Sequence, residues 1–206
     1  LFQSCGTPTV MAAYQYSRTK GVPMFLPNTF AHVLNTPLKK DIVSLGADYA
    51  DQMTALIDYL TKARGMKRIA LFYQDDKYGA EGLRAANKRL GDALVARVSY
   101  KRNAVDYSPQ AAKLKQANAD GVVMMALAQG GSKVIREAAK LGYKPVWAGV
   151  NPMANKQLIQ LGKEAVEGFI AAMPFPSEDS DVPGVIRYRE DLKALDIVGV
   201  FPDFSS

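Results

Sequence analysis

The chain contains very few of the residues that metal sites and disulfide frameworks require. Its 206 residues include one cysteine, Cys5, and one histidine, His32. A lone cysteine cannot form a disulfide within the chain, and together with a single histidine it cannot complete a tetrahedral zinc site. The composition therefore excludes disulfide-rich modules, structural zinc sites and zinc hydrolases. We expect neither a bound metal nor a cofactor.

Groups that catalyse reactions are also scarce. The sequence has no Gly-x-Ser-x-Gly nucleophile motif, no dinucleotide fingerprint and no carboxylate pair whose spacing assigns an acid and a base. Gly130 and Gly131 precede Ser132 and Lys133, but the spacing of a phosphate-binding loop is absent. His32 lies next to a proline-bounded loop, a setting more typical of a surface residue than of a catalyst. We expect the protein not to be an enzyme.

No apolar run approaches the roughly 20 residues that a membrane helix needs, and no signal-peptide pattern opens the chain. The 26 lysine and arginine residues exceed the 20 aspartate and glutamate residues, for a net charge of +6. These basic residues are spread over nearly every predicted helix. A dispersed excess is more typical of a solvated surface than of a nucleic-acid interface. We therefore expect no nucleic-acid partner and no direct insertion of this chain into a membrane.

The chain does contain a regular alternation of short apolar runs with longer stretches of helical periodicity, and 48% of its residues are hydrophobic. The run at 121–126 lacks the polar alternation of a half-exposed strand, which is typical of a parallel strand covered on both faces. Strands separated by single helices imply parallel pairing, so we predict a doubly wound α/β fold. Strands are predicted at 22–26, 42–44, 68–73, 95–100, 121–126, 145–148 and 169–172, and helices at 8–20, 49–64, 79–94, 108–117, 131–141, 155–162 and 183–195.

Ligands of open parallel sheets bind outside the carboxyl ends of the strands. Four loops that follow predicted strands carry polar side chains, an aromatic residue and glycines: 27–30, 74–79, 127–132 and 149–151. Together they would line a cleft suited to a small polar molecule. One alternative is that residues 74–76 form a solvated turn that caps the next helix. Residues 6–9 also open a helix, and free backbone amides there suit a carboxylate.

Several segments occur in an order that carries a family resemblance. They are Gly6-Thr7-Pro8-Thr9, Gly21-Val22-Pro23-Met24-Phe25 before Pro27-Asn28-Thr29, the run from Arg68 to Gly79, Asp106-Tyr107-Ser108, the run from Ala119 to Val123, the run from Ala138 to Tyr143, and Glu167-Gly168. In this order they resemble the type I periplasmic substrate-binding proteins of ABC transporters, the leucine/isoleucine/valine-binding family. The resemblance covers nearly the whole chain.

The resemblance implies two α/β lobes with parallel, doubly wound sheets, joined by hinge strands, that close on a ligand. Compared with the family, the chain is expected to lack the start of lobe one and the last segments after the hinge. Residues 1–45 would then be a remnant of lobe one, residues 46–174 most of lobe two, and residues 175–206 the return into lobe one.

The resemblance also implies a ligand site between the lobes, with a substrate carboxylate held on the lobe-one side. Where amino-acid binders of the family carry an acidic residue for the substrate ammonium, this chain has Asn151. We therefore expect that free α-amino acids are not the preferred ligands, unless Asp75 or Asp76 supplies the missing charge. The predicted site residues are Thr7, Asn28, Thr29 and Phe30 from lobe one, and Tyr78, Leu127, Gln129 and Asn151 from lobe two.

The function implied is that of the solute-binding component of an ABC importer, located in the periplasm or otherwise outside the cytoplasm. Its ligand would be a small carboxylate- or amide-bearing compound, such as an amino-acid-like, aromatic or oxo acid. Its protein partner would be the membrane permease of the importer. Two alternatives remain open because fold does not determine function: the ligand-sensing domain of a receptor or regulator, and a flavodoxin-like enzyme or response domain.

Overall fold

The computed structural model describes residues 4–44, 46–177 and 179–196. The first of these ranges, residues 4–44, is here called the first unit. It contains helix α1 (Thr7–Thr19), strand β1 (Met24–Phe25), helix α2 (His32–Asn35) and strand β2 (Ile42–Val43). Strands β1 and β2 pair in parallel, with Met24 opposite Ile42. The predicted strand at 22–26 is confirmed only at its centre, because Leu26 adopts a left-handed backbone with φ 49° and Pro27 follows. Helix α2 was not predicted, since a single turn is too short to show periodicity.

The rest of the described chain alternates strand and helix, as predicted. Its five strands form one parallel sheet. Short π or 3-10 turns at Tyr59–Ala63, Gly91–Ala93, Asn151–Met153 and Lys163–Val166 connect some of the elements. The elements are α3 (Tyr49–Asp58), β3 (Ile69–Gln74), α4 (Lys77–Leu90), β4 (Leu94–Tyr100), α5 (Ser108–Gln116), β5 (Gly121–Met125), α6 (Ala128–Lys140), β6 (Val146–Gly149), α7 (Lys156–Gly162), β7 (Ile170–Ala171) and α8 (Pro183–Ala194).

The strand order, β4-β3-β5-β6-β7, gives the sheet a topological switch point. The chain runs from β3 outward to β4 and then crosses back past β3 to β5, so β3 and β5 are neighbours whose connections leave in opposite directions. A crevice forms at the carboxyl ends of such a strand pair. Gln74 ends β3 and Ala126 directly follows β5, so both lie at this crevice.

Apolar clusters cover both faces of the sheet, which confirms the doubly wound prediction. In β5, Val123 and Met125 join the cluster on the α3 and α4 face, whereas Val122 and Met124 join the cluster on the α5 and α6 face. All five residues of β5 are buried, which explains its uninterrupted apolar run. Val10 and Tyr14 of α1 belong to the α3 and α4 cluster, so the first unit packs against this face.

Helix α6 begins at Ala128, three residues before its predicted start at Gly131, because the sequence predicts a loop up to Gly130. A Cβ on Gly130 would lie 2.7 Å from Cε2 of Tyr100, and one on Gly131 would lie 2.2 Å from Cε of Met153. These glycines allow close packing of a helix and do not mark a loop. The prediction of a loop is therefore wrong at Gln129, which lies in the first turn of α6, and is confirmed at Leu127, the extended N-cap residue just before the helix.

Two other helices differ from their predicted bounds by two or more residues. Helix α4 begins at Lys77, before the predicted Gly79, because the Asp76 carboxylate accepts hydrogen bonds from the N–H groups of Tyr78 (2.9 Å) and Gly79 (3.1 Å). The capping interpretation of residues 74–76 is thereby confirmed for Asp76. The predicted helix at 49–64 changes to a π-helical turn after Asp58. Across the described ranges, no helix is both long and apolar enough to cross a membrane.

Candidate functional site

The eight predicted site residues differ in their burial. Thr7, Thr29, Tyr78 and Asn151 are buried, with Thr29 only 1% exposed. Phe30 and Leu127 are partly buried, whereas Asn28 and Gln129 are exposed. Here the first unit packs directly on α3 and α4.

Thr7 and Thr29 place two hydroxyl groups at the start of α1. Their Oγ1 atoms lie 2.7 Å apart, within hydrogen-bond distance. The Asn28 loop is held beside the helix, because the Gly6 N–H donates to the Asn28 carbonyl (3.2 Å) and the Asn28 N–H donates to the Ser4 carbonyl (2.8 Å). Gly6, the N-cap, has a φ of 85°, and no side chain caps the helix. The first N–H groups of a helix have no partner within the helix, so this end can accept a carboxylate.

Tyr49, which the sequence did not single out, connects the residues of the first unit to those of the sheet. Its N–H donates to the Phe30 carbonyl (2.8 Å). Its ring packs edge-on against Phe30, with centroids 5.9 Å apart, and against Tyr78, with centroids 5.2 Å apart. Burial raises the pKa of the Tyr49 phenol, and hydrogen bonding with the Thr29 side chain and the Phe30 backbone opposes part of that rise. Tyr49 therefore stays protonated at neutral pH. Through these contacts it forms one cluster with Thr29, Phe30 and Tyr78.

Tyr78 bridges the switch point of the sheet. Its hydroxyl group donates to the Ala126 carbonyl at 3.0 Å. Burial raises the pKa of this phenol well above its ordinary value. Beside this bridge, the Leu127 N–H donates to the Tyr100 hydroxyl oxygen (3.3 Å), and Tyr100 donates to Oε1 of Gln74 (3.1 Å). Hydrogen bonds through these two tyrosine hydroxyl groups thus connect the carboxyl ends of β3 and β5.

Asn151 is joined to the cluster through Gln52, a second residue that the sequence did not single out. The Asn151 N–H donates to Oε1 of Gln52 at 3.0 Å, and Gln52 lies one turn after Tyr49 in α3. The Asn151 side chain is different, because its Oδ1 is buried and has no hydrogen-bond partner. Ser4 Oγ, next to the Asn28 loop, is another such atom in the described chain. Buried polar atoms normally form hydrogen bonds, so Asn151 Oδ1 and Ser4 Oγ are both exceptions to that rule.

The carboxylates around the cluster are already engaged. Asp48 caps α3 by accepting from the Asp51 N–H (2.9 Å), and its other oxygen lies 2.5 Å from Nδ1 of His32. Glu81 accepts from the His32 N–H (3.2 Å) and from Arg84 (2.5 Å). His32, expected at the surface, is therefore a partly buried contact between α2 and the helices α3 and α4. The described residues contain no group of three or more His, Cys, Asp or Glu side chains that could hold a metal ion.

Gln129 is the predicted residue that the structure does not connect to the cluster. Its side chain is exposed on the first turn of α6, and its carbonyl accepts a hydrogen bond from the Ser132 hydroxyl at 3.1 Å. Leu127, in contrast, packs against the same apolar cluster as Tyr49 and Tyr78. Helix α6 also lacks a side-chain cap, as α1 does. The two helices that start at predicted ligand-binding residues thus leave their N–H groups without side-chain partners.

Comparison with known proteins assigns the chain to a family. A family model described as periplasmic binding protein matches residues 1–195. The chain belongs to the periplasmic binding protein family. The resemblance drawn from the sequence motifs is confirmed. The comparison with curated proteins gives no significant match.

Solved structures give the fold of this periplasmic binding protein. A possible leucine/isoleucine/valine-binding protein from Rhodopirellula baltica SH 1 is 27% identical, with a TM-score of 0.85 over 98% of this chain and 57% of its own. A branched-chain amino acid ABC transporter protein from Thermus thermophilus with bound valine is 21% identical, with a TM-score of 0.82 over 100% of this chain and 54% of its own. A fatty acid ABC transporter substrate-binding protein from Thermomonospora curvata is 24% identical, with a TM-score of 0.78 over 94% of this chain and 51% of its own.

These comparisons confirm the predicted type I fold, and the chain spans only about 51–57% of the three structures' lengths. The division of this periplasmic binding protein at residues 45 and 174 stays a prediction. One contact is consistent with the second boundary: the Phe175 ring packs against Phe30 of the first unit, with centroids 5.9 Å apart.

Proposed function

We propose that the full-length protein is the solute-binding component of an ABC import system that traps a small carboxylate- or amide-bearing compound between two lobes. The observation that carries the proposal is a cluster of hydroxyl and aromatic groups where the first unit meets the sheet's switch point, next to the unpaired Oδ1 of Asn151. Such a protein acts outside the cytoplasm, delivers its ligand to a membrane permease and catalyses no reaction. The similar transport proteins support this interpretation, and they do not favour a sensing domain or a flavodoxin-like enzyme.

The start of α1 is proposed to hold the ligand's carboxylate. The helix has no side-chain cap, so the N–H groups of Thr7 and Thr9 are available, whereas Pro8 between them has none; the hydroxyl groups of Thr7 and Thr29 lie at the same end. A helix N-terminus favours negative charge through its dipole and its unpaired donors. Valine and fatty acids, named for two of the similar structures, share a carboxylate but not an amine.

Asn151 is proposed to bind the other end of the ligand. Its free Oδ1 accepts a hydrogen bond from a hydroxyl or amide group, and rotation of the amide presents Nδ2 to a carbonyl instead. An ammonium group would lose hydration worth several kcal/mol on burial, and only a carboxylate recovers most of that cost. Asp48, Asp76 and Glu81 are engaged within the chain, and Asp75 is exposed. The proposed ligands are therefore hydroxy acids, oxo acids or amides in preference to α-amino acids.

Calorimetric titration of the full-length protein with matched compounds tests this preference. L-leucine is compared with 2-hydroxy-4-methylpentanoate and 4-methyl-2-oxopentanoate, and L-phenylalanine with phenyllactate and phenylpyruvate. We expect the hydroxy or oxo acid to bind about tenfold more tightly than the amino acid, which corresponds to about 1.4 kcal/mol. Tighter binding of the amino acid in most pairs would contradict the proposal.

Two variants decide whether Asn151 causes the preference. Asn151→Asp is nearly isosteric and supplies the missing negative charge, so it should shift the preference toward the amine. Asn155→Asp adds the same charge at the N-cap of α7, where an aspartate caps the helix as well as asparagine does. This control should leave the preference unchanged.

A further inference from the structure

The side chain of Gln52 joins two segments that are far apart in the sequence. It is 3% exposed, and both ends of its amide are used. Nε2 donates to the Ala47 carbonyl at 2.9 Å, and Oε1 accepts from the Asn151 N–H at 3.0 Å. Gln52 therefore links the segment that precedes α3 with the loop that follows β6.

At Asn151 the chain has just left the sheet. The Val150 N–H still donates to the Met124 carbonyl of β5 (3.3 Å), whereas the next N–H, that of Asn151, donates to Gln52. Beyond it, the Ala154 N–H donates back to the Asn151 carbonyl (2.9 Å) and closes a short turn. The bond to Gln52 thus fixes the backbone at the residue whose Oδ1 is buried without a partner.

The Ala47 carbonyl, which accepts the hydrogen bond from Nε2 of Gln52, lies in the junction between the first unit and α3, residues 46–48. Gly46 has a φ of 84°, and a Cβ there would lie 2.7 Å from Cε1 of Phe30. Asp48 caps α3 and contacts His32 of α2. The junction therefore contacts the first unit at Phe30 and at His32. Gln52 contacts the middle of the junction and the Asn151 backbone at the same time.

We propose that Gln52 is a positioning residue that couples the 46–48 junction to Asn151 and thereby sets where the Asn151 amide meets the ligand. The part of this inference that concerns the ligand rests on the proposed function. The part that concerns the Asn151 backbone does not. Loss of the Gln52 amide should free the Asn151 N–H and weaken the discrimination between hydroxy acid and amine, while saturable binding persists.

The test uses Gln52→Met in the full-length protein, because methionine has a similar shape but forms neither hydrogen bond. The first measurement is amide hydrogen exchange at Asn151 relative to Val123 in the same sheet, which needs no ligand. The second is the ratio of the calorimetric affinities for 2-hydroxy-4-methylpentanoate and L-leucine. We expect the relative exchange rate to rise about tenfold and the affinity ratio to move at least about threefold toward one, as the loss of one hydrogen bond implies.

Two further variants separate positioning from general stability. Gln52→Glu keeps an oxygen that accepts from the Asn151 N–H, so its relative exchange at Asn151 should stay near that of the wild type. Leu114→Ala removes a fully buried side chain of α5 on the opposite face of the sheet, and it should lower the melting temperature without changing either ratio.

Relative exchange at Asn151 that is the same in Gln52→Met and in the wild type would overturn the inference. Faster exchange with an unchanged affinity ratio would overturn its ligand part. If the wild type binds neither probe nor any other compound of the panel, the proposed function fails, and the exchange measurement still decides whether Gln52 positions Asn151.

Discussion

Tyr78 lies at the switch point of the sheet, where its hydroxyl group donates to the Ala126 carbonyl. Tyr78→Phe removes this buried bond and leaves the carbonyl without that donor. We expect a loss of about 1–3 kcal/mol in the free energy of unfolding, measured by urea denaturation. Tyr16→Phe removes a hydroxyl group from an exposed tyrosine and should change stability by less than about 0.5 kcal/mol. Equal stabilities of the two variants would show that the buried bond contributes nothing.

Asp120 supports the start of β3 in a way that depends on pH. Hydrogen bonds from the N–H groups of Lys67 (2.9 Å) and Arg68 (3.0 Å), together with the charge of Arg68, lower the pKa of this carboxyl group. A lowered folded-state pKa stabilises the protein above the ordinary value of about 3.9, and this contribution is lost as the pH falls through the folded-state pKa.

Asp120→Asn should therefore lower the melting temperature at pH 7, and the difference from the wild type should shrink at pH 3 and below. Asp92→Asn removes the same charge from an exposed aspartate and serves as the control. Thermal unfolding followed by circular dichroism at both pH values checks the prediction. A difference that stays constant between pH 7 and pH 3 would show that ionisation of Asp120 is not the cause.

The residues of the site could be predicted only in part. Thr29 and Asn151 follow strands, and the rule that ligands bind at the carboxyl ends of parallel strands identified them without knowledge of the packing. Tyr49 and Gln52 lie inside a predicted helix. Their contacts with Tyr78 and Asn151 depend on how that helix packs on the sheet, which residue spacing does not contain.

Helix α4 lies so close to β5 that one of its glycines has no room for a side chain. A Cβ on Gly82 would lie 2.5 Å from Cβ and 2.7 Å from Cγ of Met125. We expect Gly82→Ala to destabilise the protein by about 1–3 kcal/mol, as overpacking of a core typically does. Gly184 of α8 has no atom within 4 Å of such a Cβ, so Gly184→Ala should stabilise by about 0.4–1 kcal/mol. Chemical denaturation of both variants measures the change in the free energy of unfolding. A Gly82→Ala protein as stable as the wild type would contradict the close packing.

The order of the elements could be predicted because apolar periodicity and helix length are local properties of the chain. Their ends were harder to predict where a residue type has two uses. Asp76 caps α4, and the helix therefore starts at Lys77, two residues before the predicted Gly79. Gly130 resembles a loop residue in the sequence, but it lies inside α6, where Tyr100 occupies the space that a side chain would need.

At the scale of the whole molecule, the alternation of strands and helices was sufficient to predict a doubly wound sheet. The way in which the first unit packs on that sheet was not predictable from the pattern. The closure depends on contacts such as Phe30 with Tyr49 and His32 with Asp48, which join residues 16–19 positions apart through the junction at 46–48. These contacts cross the proposed lobe boundary, as does the hydrogen bond from the His32 N–H to Glu81.

Small-angle X-ray scattering of the full-length protein tests the central claim that a ligand is trapped by closing lobes. The probe is the compound of the calorimetric panel that binds most tightly, added in steps through saturation. We expect the radius of gyration to decrease on binding and to reach its final value at the same concentration at which the calorimetric signal saturates. A radius of gyration that stays unchanged while the same compound binds saturably would contradict it.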